Sequence, residues 1–331
     1  MLTREMSEQR EYDFMSPLAA KSAESRGRKA PEPKCEFRTD YQRDRDRIIH
    51  SKALRRLMHK TQVFIAPEGD HFRTRLTHTL EVSQISRSIA RGLCLNEDLT
   101  EAIALGHDLG HTPFGHNGES ILSEVHRGGF KHNVQSLRVV DVLEQHEGRP
   151  GMNLTEEVRD GILNHTGAGI PVTMEGCIVR ISDRIAYINH DIDDALRAGI
   201  ISESDLPEDC SLALGNTTKA RINTLVADLI ETSDREGRII QSEACDIAMD
   251  KLRTYLFENV YFNPNVKKAS DLENIRRIIV DLYDYYLANP GALPDEYSVL
   301  IEQWGAEEMV KDHIAGMTDR YALDTWERLF R

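Results

Sequence analysis

Apolar positions recur with helical spacing along most of the chain after residue 40. Val82, Ile85, Ile89 and Leu93 fall on one face, and His78 lies one turn before Val82 on the same face. This pattern predicts an amphipathic helix that carries a histidine among its packing residues.

Two further helices are indicated by their starting residues. Asn96 is a good N-cap and is followed by two acidic residues, so a helix is expected to run from there through LTEAIALGHD. That helix would carry His107 and Asp108 at its last turn. Another helix is predicted from Thr155 to about His165.

The segment of residues 175–199 predicts a longer helix with two different faces. Asp183, Tyr187 and Asp191 share one stripe at four-residue spacing. An apolar stripe on another face comprises Ile178, Ile181, Ile185, Ile188 and Ile192. Helical patterns continue to the C-terminus without a convincing run of strands, so the fold class is all-α. We expect a polar arm over residues 1–40, a core over 41–214 and a C-terminal helical region over 215–331.

Composition places the protein in a reducing compartment. No run of about 18 apolar residues occurs, and the start MLTREMSEQREYDF is charged, so neither a membrane span nor a signal peptide is expected. The 5 cysteines are odd in number, scattered and never in a CxxC pair. They argue against a disulfide framework and a thiolate zinc site, and a cytoplasmic location fits best.

The charge is uneven along the chain. The net charge is -14, yet residues 34–91 carry 13 Lys and Arg against 7 Asp and Glu. Two interpretations stay open for this basic region. It is either a local anion site, or residues 41–60 form a single helix whose mixed charges pair and face solvent.

An ordered set of imidazoles and carboxylates is the main chemical signal. His78, His107, Asp108 and Asp183 come from three predicted helices and together offer nitrogen and oxygen ligands. Such a mixed shell suits a divalent cation, namely manganese, magnesium, cobalt, nickel or iron. Because the set has no thiolate, structural zinc is disfavoured.

The stretch HDLGHTPFGHNGE, residues 107–119, continues from this set. In an unbroken helix His116 would face away from His107, but Pro113 and Gly115 are expected to end the helix. The chain can then turn back and direct His116 and Glu119 toward the metal.

The ordered residues and the words around them carry a resemblance. Five segments resemble the bacterial deoxyguanosinetriphosphate triphosphohydrolase-like proteins, which are HD-domain phosphohydrolases. These segments are RDRDRIIHSKALRRLMHKTQVF, FRTRLTHTLEVSQISRSIA, GHDLGHTPFGHNGE, FKHNVQSLRVV and IAGMTDRYALDTWERLF. The resemblance spans about residue 36 to the C-terminus. It implies an HD-domain helical bundle with a C-terminal helical extension.

The implied activity is metal-dependent hydrolysis of dGTP, or of other deoxynucleoside triphosphates, to deoxynucleoside and inorganic triphosphate. Water would attack the α-phosphorus. The resemblance also implies a homo-oligomer, a hexamer or a tetramer.

Roles are implied residue by residue. The metal ligands would be His78, His107, Asp108 and Asp183. His116 would protonate the departing 5′-oxygen with Glu119 as its partner, and His111 is a further catalytic candidate. The substrate-binding candidates are Gln62, Arg75, His132, Tyr187, Asp191, Arg320 and Tyr321.

Two alternative functions remain at this point. One is an HD phosphohydrolase that acts on a nucleoside monophosphate or a signalling nucleotide. The other is a module with a vestigial site that binds a nucleotide or single-stranded nucleic acid through the basic region from Arg43 to Lys60. The aromatic content of 6% leaves few stacking platforms for the second alternative.

Overall fold

The structure is a computed structural model that describes residues 1–62, 73–146, 148–261, 263 and 269–331. Helices dominate it, as the periodicity predicts. In chain order, the α-helices of the described residues are α1 (Arg4–Phe14), α2 (Asp40–Ile49), α3 (Lys52–Arg56), α4 (Arg75–Gly92), α5 (Glu97–Gly106), α6 (Gly115–Val125), α7 (His132–Arg138), α8 (Glu156–Asn164), α9 (Met174–Arg197), α10 (Glu208–Leu214), α11 (Thr218–Glu236), α12 (Glu243–Leu256), α13 (Ala269–Ala288), α14 (Asp295–Ser298), α15 (Ile301–Trp304), α16 (Ala306–Gly316) and α17 (Asp319–Phe330).

Little regular structure of other kinds is present in the described part of the chain. Two short strands, β1 (Gln145–His146) and β2 (Arg149–Pro150), form an antiparallel ribbon. Single turns of 3-10 helix occur at Ser22–Glu24, Leu57–His59, Glu203–Asp205 and Pro290–Ala292, and π-helical turns at Val139–Leu143 and Phe257–Tyr261. The all-α class is therefore confirmed. No described helix combines the length and apolar character needed to cross a bilayer.

The chain divides into two compact units. The first comprises Met1–His50, His78–His107 and Asn153–Val266, and the second comprises Ser51–Thr77, Asp108–Met152 and Lys267–Arg331. The division thus falls between the adjacent residues His107 and Asp108. The three sequence segments expected above stay a prediction.

Helix α9 lies at the centre of the first unit, where it packs against α5, α8, α11 and α12. The apolar stripe provides this packing, since Ile178, Ile185, Ile188 and Ile192 are fully buried. Burial of each such side chain stabilises the fold by about 1.5 to 3 kcal/mol. The opposite stripe of α9 is left to carry polar groups.

Two glycines let α5 and α8 approach closely. A Cβ on Gly106 would lie 2.5 Å from Ile162 Cδ1, and one on Gly161 would lie 2.5 Å from Ile103 Cδ1. Any larger residue would push the helices apart. This close packing fixes the C-terminal ends of both helices, where histidines follow.

The second unit is built around α13, which packs against α6, α16 and α17. Its core brings Leu122 of α6 together with Ile279 and Leu282 of α13 and Met309 of α16, all buried. This packing holds α6, the helix that begins inside the histidine-rich stretch.

Residues 41–60 do not form the single solvent-facing helix that was one of the two interpretations. Helix α2 ends at Ile49, and α3 begins after Ser51, whose hydroxyl accepts a hydrogen bond from the backbone N–H of Leu54 at 3.0 Å. A serine cap satisfies the donors of the new helix and stabilises the break. The basic residues of α3 therefore lie on a separate helix.

Candidate active site and metal centre

The first unit gathers two of the predicted metal-ligand histidines around one carboxylate. His78 comes from α4, His107 follows the last residue of α5, and Asp183 lies in the middle of α9. His78 Nε2 is 3.0 Å from Asp183 Oδ1, and His107 Nε2 is 3.8 Å from the same oxygen. Both imidazoles are buried. Three helices thus converge on one polar point.

Local backbone contacts orient the imidazole of His107. Its Nδ1 lies 2.7 Å from the carbonyl oxygen of Ala104, one turn earlier in α5. Donation from Nδ1 to that carbonyl leaves the lone pair on Nε2, the atom nearer Asp183. Histidines that bind metals commonly donate their other ring nitrogen in this way.

His165 adds a third imidazole that the sequence analysis did not assign to the site. Its ring centroid is 5.0 Å from that of His107, and its Nδ1 lies 2.7 Å from the carbonyl oxygen of Ile162. The only signal in the sequence was its position directly after a predicted helix, the position that His107 also occupies.

The donor set of the first unit fits a divalent ion. Burial would raise the pKa of Asp183, but the hydrogen bond from His78 and the charges of the histidines hold the pKa at about 2. The carboxylate is therefore ionised near neutral pH and offers an oxygen beside two imidazole nitrogens. Nitrogen and oxygen ligands in this ratio suit manganese, iron, cobalt or nickel, and magnesium less well.

Asp108, the remaining predicted ligand, lies in the second unit. Its Oδ2 accepts a hydrogen bond from Nη1 of Arg75 at 2.8 Å, and both side chains are buried. Ligand atoms of Asp108, His111 and His132 lie within 4.8 Å of one another and could also hold an ion. Asp108 thus has a charged partner and imidazoles close to it.

The turn expected between His107 and His116 is present. Phe114 has a φ of 60° and Gly115 also has a φ of 60°, the left-handed region that costs a non-glycine residue about 1 to 2 kcal/mol. Asp319 holds this turn, since its Oδ1 accepts the backbone N–H of Phe114 at 2.9 Å and its Oδ2 accepts that of Thr61 at 2.9 Å. The sequence analysis missed this role of Asp319.

Helix α6 starts at the turn and presents His116 and Glu119 on its first turns. His116 Nδ1 lies 3.3 Å from Glu119 Oε2, and His132 Nδ1 lies 2.9 Å from Glu119 Oε1. The backbone N–H of His132 also donates to Glu119 at 2.8 Å. His111 stacks on His132 with ring centroids 4.6 Å apart. One carboxylate therefore organises this second cluster.

Charge in the second cluster follows from Glu119. Burial opposes its ionisation, but hydrogen bonds from His116 and His132 hold the pKa of Glu119 far below its usual value. Burial would likewise lower the pKa of His132, yet the bond to Glu119 raises it above the ordinary histidine value. Burial and the charge of Arg75 lower the pKa of His111, which is therefore neutral near pH 7.

A cavity of about 630 Å³ opens beside Asp183 within the first unit. Its wall includes His165, Tyr187 and three arginines, Arg180, Arg184 and Arg253. The guanidinium of Arg253 packs 5.1 Å from the ring centroid of Phe257. The sequence analysis assigned none of these arginines to the site.

The other substrate-binding candidates occupy different environments. Asp191 is buried and accepts a hydrogen bond from the hydroxyl of Tyr261. Gln62 is half-buried, and its Oε1 has no hydrogen-bond partner within the described part of the chain. Arg320 is 88% exposed and lies 3.5 Å from Asp324.

Tyr321 lines a separate cavity of about 250 Å³ in the second unit, together with Arg56, Tyr297 and His313. Among the described residues, no hydrogen bond or ion pair joins Arg320 or Tyr321 to the histidine cluster of that unit. Both assignments rest on the sequence resemblance alone.

Comparisons with known proteins match two family models. The HD domain matches residues 75–188, and the phosphohydrolase-associated domain matches residues 239–328. Curated relatives bear the name deoxyguanosinetriphosphate triphosphohydrolase-like protein. That of Caldanaerobacter subterraneus subsp. tengcongensis is 56% identical and covers 100% of this chain and 96% of its own. Those of Desulfatibacillum aliphaticivorans and Clostridium tetani are 48% and 44% identical, each over 100% of this chain and over 98% and 97% of their own lengths.

The Glu119 and His132 pair predicts a pH-dependent stability. The pKa of folded His132 is raised, so the pair stabilises the fold below the unfolded imidazole pKa and this contribution is lost as the pH rises through the folded value. Glu119→Gln should therefore cost on the order of 1 to 3 kcal/mol at about pH 6 and less at about pH 9. Chemical denaturation at both pH values measures this difference.

The control is Glu124→Gln, which removes an exposed carboxylate from the same helix. NMR titration of His132 should also show a lower pKa in Glu119→Gln and an unchanged pKa in the control. Equal destabilisation at both pH values, with His132 titrating as in the parent, would contradict the assignment.

Proposed function

We propose a specific reaction for this chain, which belongs to the deoxyguanosinetriphosphate triphosphohydrolase-like family of HD-domain proteins and is therefore a metal-dependent phosphohydrolase. In this reaction, it hydrolyses dGTP and other deoxynucleoside triphosphates to deoxynucleoside and inorganic triphosphate. One observation carries the proposal. His78 and His107 direct Nε2 at the same oxygen of Asp183, beside a cavity lined by three arginines. We therefore assign the histidines and Asp183 to the metal and the arginines to phosphate.

The proposed ligands are His78, His107 and Asp183 of the first unit together with Asp108, which follows His107 in the chain. When bound, the ion would polarise the α-phosphoryl group and lower the pKa of a water molecule. The protein holds the ligands in place, since Arg75 pairs with Asp108 and the Ala104 carbonyl orients His107.

Phosphate binding is assigned to arginines on two helices of the first unit. A triphosphate carries about four negative charges and would be repelled by Asp183 without nearby cations. Arg180 and Arg184 of α9 and Arg253 of α12 line the cavity next to this carboxylate. Guanidinium groups bind phosphate oxygens through paired N–H donors. A phosphate would compete here with the carbonyl oxygens that Arg180 already binds and with Asp246 and Asp250, the partners of Arg184. We assign Arg75, His111 and His132 as further donors on the basis of the resemblance.

Proton transfer is assigned to His116. An alkoxide is a poor leaving group, so a general acid that titrates near neutral pH is needed at the 5′-oxygen. The His116 side chain is 70% exposed, which allows exchange with solvent protons, and Glu119 lies 3.3 Å away to orient it. Glu119 acts as the positioning carboxylate for both His116 and His132.

The sugar is assigned to Tyr187, Asp191 and Gln62. Tyr187 lies one turn after Asp183 on α9 and faces the same cavity. Asp191 lies one turn further, where it holds the hydroxyl of Tyr261. A deoxyribose placed after the α-phosphate would meet these residues in order along one helix face.

The resemblance implies two kinds of partner, a deoxynucleoside triphosphate and further copies of this chain in a hexamer or tetramer. Single-stranded nucleic acid belongs to the alternative function, as a ligand of the basic region from Arg43 to Lys60.

The products test the reaction. Incubation with dGTP and manganese should yield deoxyguanosine and intact triphosphate, because the bond from the α-phosphorus to the 5′-oxygen is the one cut. Chromatography with phosphorus NMR identifies both products. Initial formation of dGMP with pyrophosphate, or of dGDP with orthophosphate, would overturn the proposed reaction.

The variant Asp183→Ala tests in the same assay whether this carboxylate is needed for metal binding and turnover. It should abolish both metal binding and turnover, while Asp193→Ala, on the same helix but paired with Arg197, should retain both. Metal analysis by mass spectrometry gives the stoichiometry. Normal metal content and turnover in Asp183→Ala would remove Asp183 from the proposed ligand set.

Discrimination between deoxyribose and ribose is predicted to depend on Tyr187. A tyrosine ring packed on C2′ leaves a 2′-hydroxyl without a partner, which costs about 1 to 3 kcal/mol, or about 5- to 150-fold in specificity. Tyr187→Ala should therefore lower the ratio of kcat/KM for dGTP over GTP by that factor. Tyr187→Phe should keep the preference, because the ring remains.

Tyr255→Ala is the control, since Tyr255 is a half-buried tyrosine of the same unit that does not line the cavity. If the ratio of kcat/KM for dGTP over GTP is unchanged in a folded, metal-loaded Tyr187→Ala variant, Tyr187 has only a structural role.

A further inference from the structure

Besides the cavity of Tyr321, the second unit contains a cavity of about 440 Å³ that lies wholly within this unit. This volume falls in the range of small-molecule sites. Among its described lining residues are none of those assigned above to metal, substrate or catalysis. The residues assigned above to the reaction thus lie outside this cavity, although Arg56, Glu296 and Tyr297 also line the smaller cavity of Tyr321.

Three cationic side chains line this cavity. Lys52 and Arg56 lie four residues apart on one face of α3, and Lys60, which follows the 3-10 turn Leu57–His59, lines the same cavity. The Lys52 side chain is 63% exposed at the rim, whereas Lys60 is only 2% exposed. Positive charge thus extends from solvent to a buried position.

Lys60 is a buried ammonium group without an acidic partner among the described residues. Its Nζ donates to the carbonyl oxygen of His111 and, at 2.8 Å, to that of Ala315. An ammonium group has three N–H donors, so one remains for a ligand. Burial and the charge of Arg56 lower the pKa of Lys60 to about 7. An anion bound beside it would offset that cost.

Two of the carboxylates that line the cavity already have partners. Asp312 lies 2.7 Å from Nε of Arg138, and Glu144 accepts the backbone N–H of Ala53 at 2.6 Å. Asp312 is therefore paired with a cation of the protein, whereas Glu144 keeps a negative charge that acts on Arg56.

Glu296 is the carboxylate that pairs with two of these cations, Lys52 and Arg56. It lies 3.3 Å from Nζ of Lys52 and 3.5 Å from Nη2 of Arg56, at the exposed end of the cavity. Ion pairs this exposed contribute little to stability. A stronger anion could displace Glu296 at little cost.

We propose that this cavity binds a phosphate-bearing small molecule, with Arg56 and Lys60 as its donors and Glu296 as the carboxylate it displaces. The planar fork of Arg56 and the third N–H of Lys60 match the three terminal oxygens of a phosphate better than the two of a carboxylate. The rest of the wall is partly apolar, with Leu109, Val139 and Leu143, and accommodates the remainder of the molecule.

The site is connected to the loop of His111 by one hydrogen bond. Lys60 holds the backbone carbonyl of His111, so a ligand that draws the ammonium toward itself alters this contact. Binding is therefore expected to change the turnover of the enzyme. This consequence rests on the proposed function, whereas binding itself does not.

Calorimetric titration of the metal-free full chain with inorganic phosphate tests the site. Arg56→Gln should weaken binding about tenfold or more, because it removes a charged donor pair. Glu296→Gln should tighten binding by about three- to tenfold, because it removes the competing carboxylate. Opposite changes from two neighbouring side chains are not expected from general loss of structure, and circular dichroism checks the fold of each variant.

Arg276→Gln and Glu124→Gln are the matched controls, since these two exposed residues form an ion pair at 2.6 Å away from the cavity. Both should bind phosphate within about twofold of the parent. Changes of the same sign in Arg56→Gln and Glu296→Gln, or affinities equal to the parent in both, would overturn the proposal.

Ribose 5-phosphate as a second probe separates the sources of the phosphate group. Tighter binding than inorganic phosphate, lost in Arg56→Gln, identifies an organic phosphate ester as the ligand class. Equal binding of the two probes, again lost in Arg56→Gln, identifies inorganic phosphate.

Discussion

Carboxylates paired with cations or imidazoles in buried or half-buried positions are the interaction on which the site depends. Asp183 is held by His78, Asp108 by Arg75, and Glu119 by His132. An unpaired charge in such surroundings would cost several kcal/mol, so removal of one partner destabilises the other. The histidine partners keep Asp183 and Glu119 ionised, which a cation site requires. The partners of these carboxylates are therefore needed both for the stability of the fold and for the proposed function.

Much of this arrangement follows from periodicity and helix-end signals. Asn96 caps α5 as expected, its side chain accepting the backbone N–H of Leu99 at 3.1 Å, and α9 spans nearly the predicted segment. Four of the five isoleucines of its apolar stripe are fully buried, whereas Ile181 is half-buried and lines the cavity beside Asp183. Spacing within one helix could thus be predicted, because 3.6 residues per turn determines which side chains share a face.

Features that depend on contacts between distant segments could not be predicted. Arg253 reaches the cavity beside Asp183 only because α12 packs on α9, and nothing in the local sequence of α12 indicates this. Asp319 holds a turn far away in the chain. The break at Ser51 was missed because the surrounding residues are good helix formers, and serine is a modest interruption unless it caps a new helix.

The central claim is that water attacks the α-phosphorus of a deoxynucleoside triphosphate at the site around Asp183. Hydrolysis of dGTP in ¹⁸O-labelled water, followed by phosphorus NMR of the products, tests this claim most directly. The account predicts one ¹⁸O atom on a terminal phosphorus of the released triphosphate and none in deoxyguanosine. Label in the 5′-hydroxyl of deoxyguanosine, or in orthophosphate released first, would contradict it.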